Sequence, residues 1–295
     1  MVTVDVHLHL AQIPTQIPKW WADELYRPFG QEFPATDGRS VVELLDKAGI
    51  DIGCVMGADY RRTTVHPDYP AEHDVFVSND YVAAEVRKYP DRLVGIASVD
   101  PIRDPQAAVL ELERCVKDLD MRVLKLYPTY NHFYPADERL TPLYEKAIEL
   151  DIPVHFHMGW TPLINAPMKY QDPVLLDDVG IKFRQLKVIV AHLGYPWVDQ
   201  AICLVAKHPN FYCDMAYWCG FGPEYLYQAL LKLKSLNAIG RVLYGSENLC
   251  TVAFPDVYRK VNGVAKRLDL PEITDEEMAN IMGGTAAKLY KIKIR

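Results

Sequence analysis

The chain has 295 residues, of which 49% are hydrophobic and 24% are charged, an ordinary composition for a globular protein. Its formal net charge is −7 at pH 7 and no basic stripe is present. This argues against nucleic acid as a partner, because binding to a phosphate backbone requires clustered Lys and Arg. No stretch approaches the roughly 18 consecutive apolar residues of a membrane span, so we expect no membrane partner.

The N-terminal segment and the cysteines both indicate a cytoplasmic protein. The opening sequence MVTVDVHLHL lacks the basic region of a signal peptide and enters a predicted strand at once. The cysteines are scattered and form no CxxC pair, so we expect reduced thiols. They are Cys54, Cys115, Cys203, Cys213, Cys219 and Cys250.

Short apolar runs alternate with helical patterns along the whole chain, in eight pairs. The predicted strands cover residues 3–8, 52–57, 93–99, 121–127, 152–157, 187–192, 210–215 and 241–245. The helical patterns include residues 39–49, 78–89, 104–118, 139–150, 196–207 and 222–235. This alternation predicts an α/β fold with a parallel sheet, and eight repeats favour closure into a (β/α)8 TIM barrel. Since no domain boundary is apparent, residues 1–295 are predicted to form one domain.

The lengths of the connections indicate which end of the barrel is functional. Connections that follow a predicted strand are long: residues 10–38, 58–76, 128–138, 158–170 and 246–254. Active sites of this fold lie at that end, among the βα loops. The first long loop is rich in proline and aromatic residues, and it fits a lid, an oligomer contact or a packed surface loop.

Histidines recur at the ends of three predicted strands. His7 and His9 are two apart on the first strand, so their side chains share a face. His157 ends the fifth strand and His192 ends the sixth. Imidazoles converging at the barrel mouth predict a site for a divalent metal ion. His155 should share the face of His157 one layer deeper, as a supporting or core residue.

Charged residues near the same end extend the predicted site. Glu247 directly follows the eighth strand, where it can complete the metal shell or accept a proton. Lys125, in the fourth strand, fits three roles: binding a substrate carboxylate, carrying a carbamate that bridges two metals, or forming a salt bridge. Arg61 and Arg62, after the second strand, are candidates for binding an anionic substrate.

Several of these segments together resemble the amidohydrolase superfamily over nearly the whole chain. The similar segments are VDVHLHL, NDYVAAEVRKYPDRLVGIASVDP, IPVHFHMGW, VIVAHLGYP, KHPNFYCDMA and EEMANIMGGTAAKLY. The resemblance is to amidohydrolase family 2, the branch that includes aminocarboxymuconate-semialdehyde decarboxylase, resorcylate-type decarboxylases and some lactonases.

This resemblance implies a metal centre and a division of roles. It implies that His7, His9 and His157 bind one divalent metal, usually zinc and in some members manganese, and that His192 is a catalytic or substrate-polarising histidine. The family places an aspartate after strand eight as metal ligand and proton acceptor. Here that position is Glu247, within GSEN where the family reads GSD, so its geometry must differ. By the same analogy we expect a homodimer.

The leading functional hypothesis is a metal-dependent, non-oxidative decarboxylase of a small aromatic or unsaturated carboxylic acid. His192 and Glu247 would handle protons, and Lys125, Arg61 and Arg62 would bind the substrate. One alternative is a hydrolase of a lactone, amide or ester that uses metal-activated water. Another is a catalytically inactive binding barrel that lost its chemistry through Glu247. The motifs do not separate these alternatives.

Overall fold

The computed structural model describes residues 2–30, 36–61 and 74–292. Its main feature is a sheet of eight parallel strands, each hydrogen-bonded to the next one along the chain. These are β1 (Val4–His9), β2 (Ile52–Met56), β5 (Leu93–Ser98), β6 (Leu124–Leu126), β7 (Val154–Phe156), β8 (Val188–Val190), β9 (Phe211–Asp214) and β10 (Val242–Leu243). The amide of Val6 donates to the carbonyl of Tyr244 at 2.9 Å, which brings the first and last strands together. The predicted (β/α)8 TIM barrel is confirmed.

The helices surround this barrel, and the six predicted helical ranges are found within two residues of their predicted bounds. The helices are α1 (Lys19–Tyr26), α2 (Gly38–Ala48), α3 (Asn79–Lys88), α4 (Pro105–Lys117), α5 (Pro128–Asn131), α6 (Thr141–Glu149), α7 (Asp177–Lys182), α8 (Val198–Lys207), α9 (Gly222–Ser235), α10 (Phe254–Leu268), α11 (Asp275–Ala279) and α12 (Thr285–Leu289). None of the helices in the described ranges has the length and apolar character that crossing a membrane requires.

A small antiparallel ribbon was not predicted. It consists of β3 (Ala58–Asp59) and β4 (Phe76–Val77), which lie in the connection after β2. Each of its strands is only two residues long, too short for an alternating pattern to reveal it.

Strand register determines which side chains face each other at the barrel centre. Lys125 of β6 lies opposite Ser98 of β5 and opposite His155 of β7, and His155 lies opposite Ile189 of β8. Paired residues of parallel strands point to the same side of the sheet. One row of side chains therefore places Lys125 and His155 next to each other, beneath the ends of the strands.

The C-terminal segment packs against the start of the first strand, and this contact generates a stability prediction. A Cβ atom on Gly283 would lie 2.3 Å from the carbonyl oxygen of Val2 and 2.8 Å from the amide nitrogen of Val4. We expect Gly283→Ala to lower the free energy of unfolding by about 1–3 kcal/mol, because backbone must move to admit the methyl group.

Urea denaturation measures this effect, with Gly263→Ala in α10 as the matched control. Nothing lies within 4 Å of a Cβ atom added at Gly263. This control should raise the free energy of unfolding by about 0.5–1 kcal/mol, because alanine is the better helix former. Equal stabilities of Gly283→Ala and the wild type would contradict the close packing.

Candidate metal centre and active site

All five residues predicted for the metal centre and for catalysis meet at the C-terminal ends of the strands. The Glu247 carboxylate lies 2.9 Å from Nε2 of His7 and 3.2 Å from Nε2 of His9. Nε2 of His192 lies 3.3 Å from Nδ1 of His157 and 3.9 Å from the Glu247 carboxylate. The structure thus assembles four imidazoles and one carboxylate from four different strands.

The backbone after β10 turns the Glu247 carboxylate towards these histidines. Glu247 and Asn248 have φ values of 63° and 52°, in the left-handed region that side chains other than glycine rarely adopt. The Asn248 side chain holds this turn against β1, since it accepts from the amide of His9 at 2.6 Å and donates to the carbonyl of His9 at 3.0 Å. The amide of Glu247 also donates to the carbonyl of His7 at 2.9 Å.

A buried carboxylate that the sequence reasoning missed, Asp214 at the end of β9, lies beneath the cluster. It accepts hydrogen bonds from Nδ1 of His7 at 3.1 Å and from Nε2 of His155 at 2.7 Å. It also accepts from the backbone amides of His192 at 3.0 Å and Ala216 at 2.9 Å. These four donors compensate for the removal of a charge from water. A signal existed, because an acidic residue ends the seventh strand as histidines end three others.

Charges and hydrogen bonds around Asp214 keep it ionised, and the surroundings also determine the protonation of the neighbouring histidines. Burial alone would raise the pKa of Asp214, but the charge of His7 and the hydrogen bonds from His155 and His7 hold it well below its usual value. Because Asp214 accepts from Nδ1 of His7, a proton stays on that nitrogen, and loss of the second proton from Nε2 would leave Nε2 a lone pair for a metal. Burial, with a smaller contribution from His192, holds the pKa of His157 well below its usual value, so this imidazole is neutral.

Lys125 lies within the cluster, below the cavity. Its side chain is fully buried, and Nζ lies 3.3 Å from Nε2 of His7. Burial lowers the pKa of Lys125 to about 8, and the charges of Asp214 and Glu247 limit the shift. Lys125 is not among the described residues that line the cavity, so it is an internal cation whose charge interacts with Asp214 and Glu247.

Arg61 is bound to the ribbon and lies outside the lining of the cavity. Its guanidinium donates to both oxygens of Asp59, at 2.9 and 2.8 Å, and lies 3.8 Å from the centre of the Phe76 ring. Asp59 also accepts two hydrogen bonds from Arg103. Burial would raise the pKa of Asp59, but these two arginines lower it to about 2. The other predicted arginine, Arg62, falls outside the described residues.

A cavity opens above the cluster, and its described walls are mostly aromatic and aliphatic. His9, His157, His192 and Glu247 line the end of the cavity that faces the cluster. The apolar and aromatic lining consists of Leu10, Ile17, Trp21, Leu25, Tyr26, Phe29, Gly57, Ala58, Tyr60, Val77, Tyr127, Tyr130, Trp160, Pro162, Tyr217 and Leu249. No Lys or Arg occurs in the lining formed by residues 2–30, 36–61 and 74–292.

The first long loop forms one wall of this cavity, as one of its three predicted roles requires. Its helix α1 carries Trp21, whose ring lies 6.1 Å from the rings of both Tyr60 and Tyr130. Phe29, farther along the same loop, lies 6.4 Å from the ring of Tyr217 on the opposite side. The loop therefore covers the cavity, and its role in oligomer contacts stays a prediction.

The donor atoms fit a divalent metal ion. One ligand atom each from His7, His9 and Glu247 lies within 4.8 Å of the others. Nε2 of His157 is buried and has no hydrogen-bond partner among the described residues, as expected for an atom reserved for a ligand. Imidazoles with one carboxylate suit zinc and related ions. A second group, His7, His155 and Asp214, is fully buried and already joined by hydrogen bonds.

Two of the cysteines form a disulfide, so the prediction of reduced thiols is wrong for them. Cys219 and Cys250 are bonded, with their Cα atoms 5.7 Å apart. The prediction failed because these residues are 31 positions apart in two different βα loops, which only the closed barrel brings together. The free cysteines are Cys54, Cys115, Cys203 and Cys213.

The fold and the cluster define a class of protein: a (β/α)8 barrel with a candidate metal centre at the C-terminal ends of its strands. The chain belongs to the amidohydrolase family, whose profile matches residues 4–292. This confirms the family predicted from the strand-end motifs.

The chain is similar to several characterised proteins. A gamma-resorcylate decarboxylase of Rhodococcus jostii (strain RHA1) is 36% identical over 265 residues, covering 73% of this chain and 75% of that protein. A 2-keto-4-carboxy-3-hexenedioate hydratase of Sphingobium sp. is 22% identical, over 98% of this chain and 96% of the hydratase. The match to a decarboxylase of Emericella nidulans, 28% identical over 54% of this chain, spans only about half of that protein (53%).

A solved structure supports the same fold. It is a dihydroxybenzoic acid decarboxylase from Polaromonas sp. JS666 with bound manganese and the inhibitor 2-nitroresorcinol. Its TM-score is 0.64 at 21% sequence identity, and the alignment covers 100% of this chain and 98% of that chain. The relatives thus include decarboxylases and a hydratase.

The contacts of Asp214 predict the effect of removing its charge. In Asp214→Asn the amide oxygen can still accept from the two backbone amides, but the new NH2 group faces His7 and His155. We expect the proton of His7 to move from Nδ1 to Nε2, because the asparagine must donate where the aspartate accepted. Nitrogen-15 NMR of the histidine rings measures which nitrogen is protonated.

Asp177→Asn is the matched control for this experiment. Asp177 also pairs with a histidine, His208 at 2.7 Å, but this part-buried pair lies outside the lining of the cavity. This variant should leave the His7 tautomer unchanged. An unchanged tautomer in Asp214→Asn as well would contradict the role of Asp214 in orienting the His7 ring.

Proposed function

We propose that this protein is a metal-dependent decarboxylase that removes CO2, without oxidation, from a small aromatic acid with one carboxylate. The observation that carries the proposal is the direct contact between an aromatic cavity and a group of metal-ligating side chains. The cavity accommodates a ring, and the floor offers three histidines and Glu247. The decarboxylase that is 36% identical supports this choice of reaction.

The residues proposed to hold the metal are His7, His9, His157 and Glu247. Zinc and manganese both fit this donor set, and the manganese bound in the Polaromonas decarboxylase supports the second. When bound, such an ion supplies positive charge for a substrate carboxylate and a neighbouring oxygen. Glu247 is one methylene longer than the aspartate that the family has after the eighth strand. Its left-handed backbone conformation brings the carboxylate to the histidines.

His192 and Glu247 are proposed to deliver the proton that the reaction requires. Loss of CO2 breaks a carbon–carbon bond and leaves its electron pair on the ring carbon, which takes up one proton. Burial lowers the pKa of His192 to about 4, so the free side chain is neutral, with Nδ1 placed 3.3 Å from the carbonyl of Ala216. Its Nε2 lies 3.9 Å from the Glu247 carboxylate beside the cavity, so a proton that either group takes up from water can pass to the ring carbon.

The charge of the cavity favours a substrate with a single carboxylate. The described walls offer no Lys or Arg to pair with a second acidic group, and an unpaired carboxylate in this setting is costly. The Tyr217 hydroxyl borders the cavity and has no hydrogen-bond partner within the described part of the chain, so it can bind a ring hydroxyl. We therefore propose hydroxybenzoic acids such as 2,6-dihydroxybenzoate as the first substrates to test.

Metal content tests the ligand assignment without any assumption about the substrate. We expect elemental analysis of the purified protein to find about one zinc or manganese ion per chain, and His157→Ala to lose most of it, because a buried ligand nitrogen is removed. The control is His132→Ala, since His132 is exposed and does not line the cavity. Equal metal contents in the three proteins would refute the assignment of His157.

Activity tests the reaction and the role of Glu247. With metal present, the wild type should release CO2 from 2,6-dihydroxybenzoate. Glu247→Gln should lower kcat/KM by about 100-fold or more, because an amide can neither take up the proton nor deliver it. Glu145→Gln, an exposed residue of α6, is the control and should be fully active. Hydrolysis of lactones or esters without CO2 release would instead favour the hydrolase alternative. No activity on any of these compounds at full metal occupancy would favour the catalytically inactive binding barrel.

A further inference from the structure

We propose that the Cys219–Cys250 disulfide is a positioning cross-link that holds Glu247 in the active site and that its reduction loosens this carboxylate. The inference rests on the proposed function, in which Glu247 is both a metal ligand and a proton carrier. The bond lies beside the cavity: Leu249 precedes Cys250 and Tyr217 lies two residues before Cys219, and both line the cavity wall.

The cross-link joins the two loops that carry or support the candidate catalytic residues. Cys250 lies three residues after Glu247, in the loop that follows β10. Cys219 lies in the loop that follows β9, next to Trp218. The indole of Trp218 is fully buried and donates to the carbonyl of His192 at 3.1 Å. The disulfide therefore fastens the Glu247 loop to a segment that is itself anchored to His192.

The Glu247 loop needs such anchoring because its backbone is in an unfavourable conformation. Two consecutive residues, Glu247 and Asn248, have φ values in the left-handed region, and neither is glycine. Such a conformation persists only where surrounding contacts enforce it. Asn248 ties the loop to β1 on one side, through His9, and Cys250 ties it to the β9 loop on the other. Without the second tie the strain can relax by moving the carboxylate away from the histidines.

The first experiment asks whether the cross-link forms. Titration of thiols in the denatured, unreduced protein should find four free thiols, those of Cys54, Cys115, Cys203 and Cys213. A count of six would overturn the proposal. A dithiol reagent should then supply two electrons and two protons, giving the thiols of Cys219 and Cys250 and the cyclic disulfide of the reagent.

The second experiment measures whether the cross-link restrains the loop. Hydrogen exchange followed by mass spectrometry compares the wild type, the reduced wild type and the double variant Cys219→Ser/Cys250→Ser. We expect exchange in residues 246–251 to be at least 10-fold faster without the disulfide, with residues 154–157 unchanged. Cys203→Ser, which removes an exposed free thiol, is the control and should match the wild type. Equal exchange in all of these proteins would overturn the proposal.

The third experiment separates positioning of Glu247 from a general effect on stability. The dissociation constant for Mn²⁺ is measured for the double cysteine variant, for Glu247→Gln and for their combination. If the disulfide acts through Glu247, its loss weakens binding by about 10-fold or more in the wild type but changes nothing in Glu247→Gln. Additive losses would overturn the positioning role.

The two proposals fail in different ways. If the wild type binds no metal under any condition, the proposed function fails, and the exchange rates alone decide whether the cross-link restrains Glu247. If the metal binds and the loop exchanges equally fast with and without the disulfide, only the positioning role fails.

Discussion

The buried carboxylate of Asp214 is the constraint on which the geometry of the site depends. A single negative charge inside a barrel costs several kcal/mol unless donors surround it. Asp214 meets that requirement with two imidazoles and two backbone amides, so each donor is fixed in place. His7 has its ring orientation set, His155 becomes a supporting residue, and His192 is held where its φ of 58° would otherwise be unfavourable.

The side chains above Asp214 require positive charge rather than hydrogen-bond donors, because they include a carboxylate and neutral imidazole nitrogens that a bound cation would stabilise. Glu247 contacts two imidazoles, and His157 presents to the same region a nitrogen that has no hydrogen-bond partner in the described part of the chain. Lys125 supplies one positive charge from below, but its pKa is lowered by its burial. Aromatic side chains of the cavity and of the first loop exclude water, which strengthens every charge interaction on the floor. A divalent ion and an anionic substrate are the partners that this arrangement favours.

Much of the fold and of the candidate metal centre could be predicted because both depend on local patterns in the sequence. Apolar runs located all eight barrel strands, and histidines at the ends of three of them located the candidate metal centre. Asp214 also lies at the end of a strand, but it was not predicted, because a single carboxylate there lacks the distinctive HxH spacing. Its side chain accepts hydrogen bonds from β1, from β7 and from the loops that follow β8 and β9, and these contacts could not be derived from spacing alone.

The remaining features depend on contacts between distant segments. Arg61 was predicted to reach a substrate, but its position depends on Asp59 in a ribbon whose strands have two residues each. The role of Arg61 in substrate binding is therefore not part of the proposed function. Cys219 and Cys250 meet only after β9 and β10 have joined the barrel, so no spacing rule could pair them.

The most direct test of the account is anomalous diffraction from a crystal of the wild-type protein grown with Mn²⁺. The account predicts one strong peak in contact with Nε2 of His7, Nε2 of His9, Nε2 of His157 and the carboxylate of Glu247, above an intact Asp214 network. A peak bound to His155 and Asp214 instead, or none at full Mn²⁺ concentration, would contradict the assignment of this site as the metal centre.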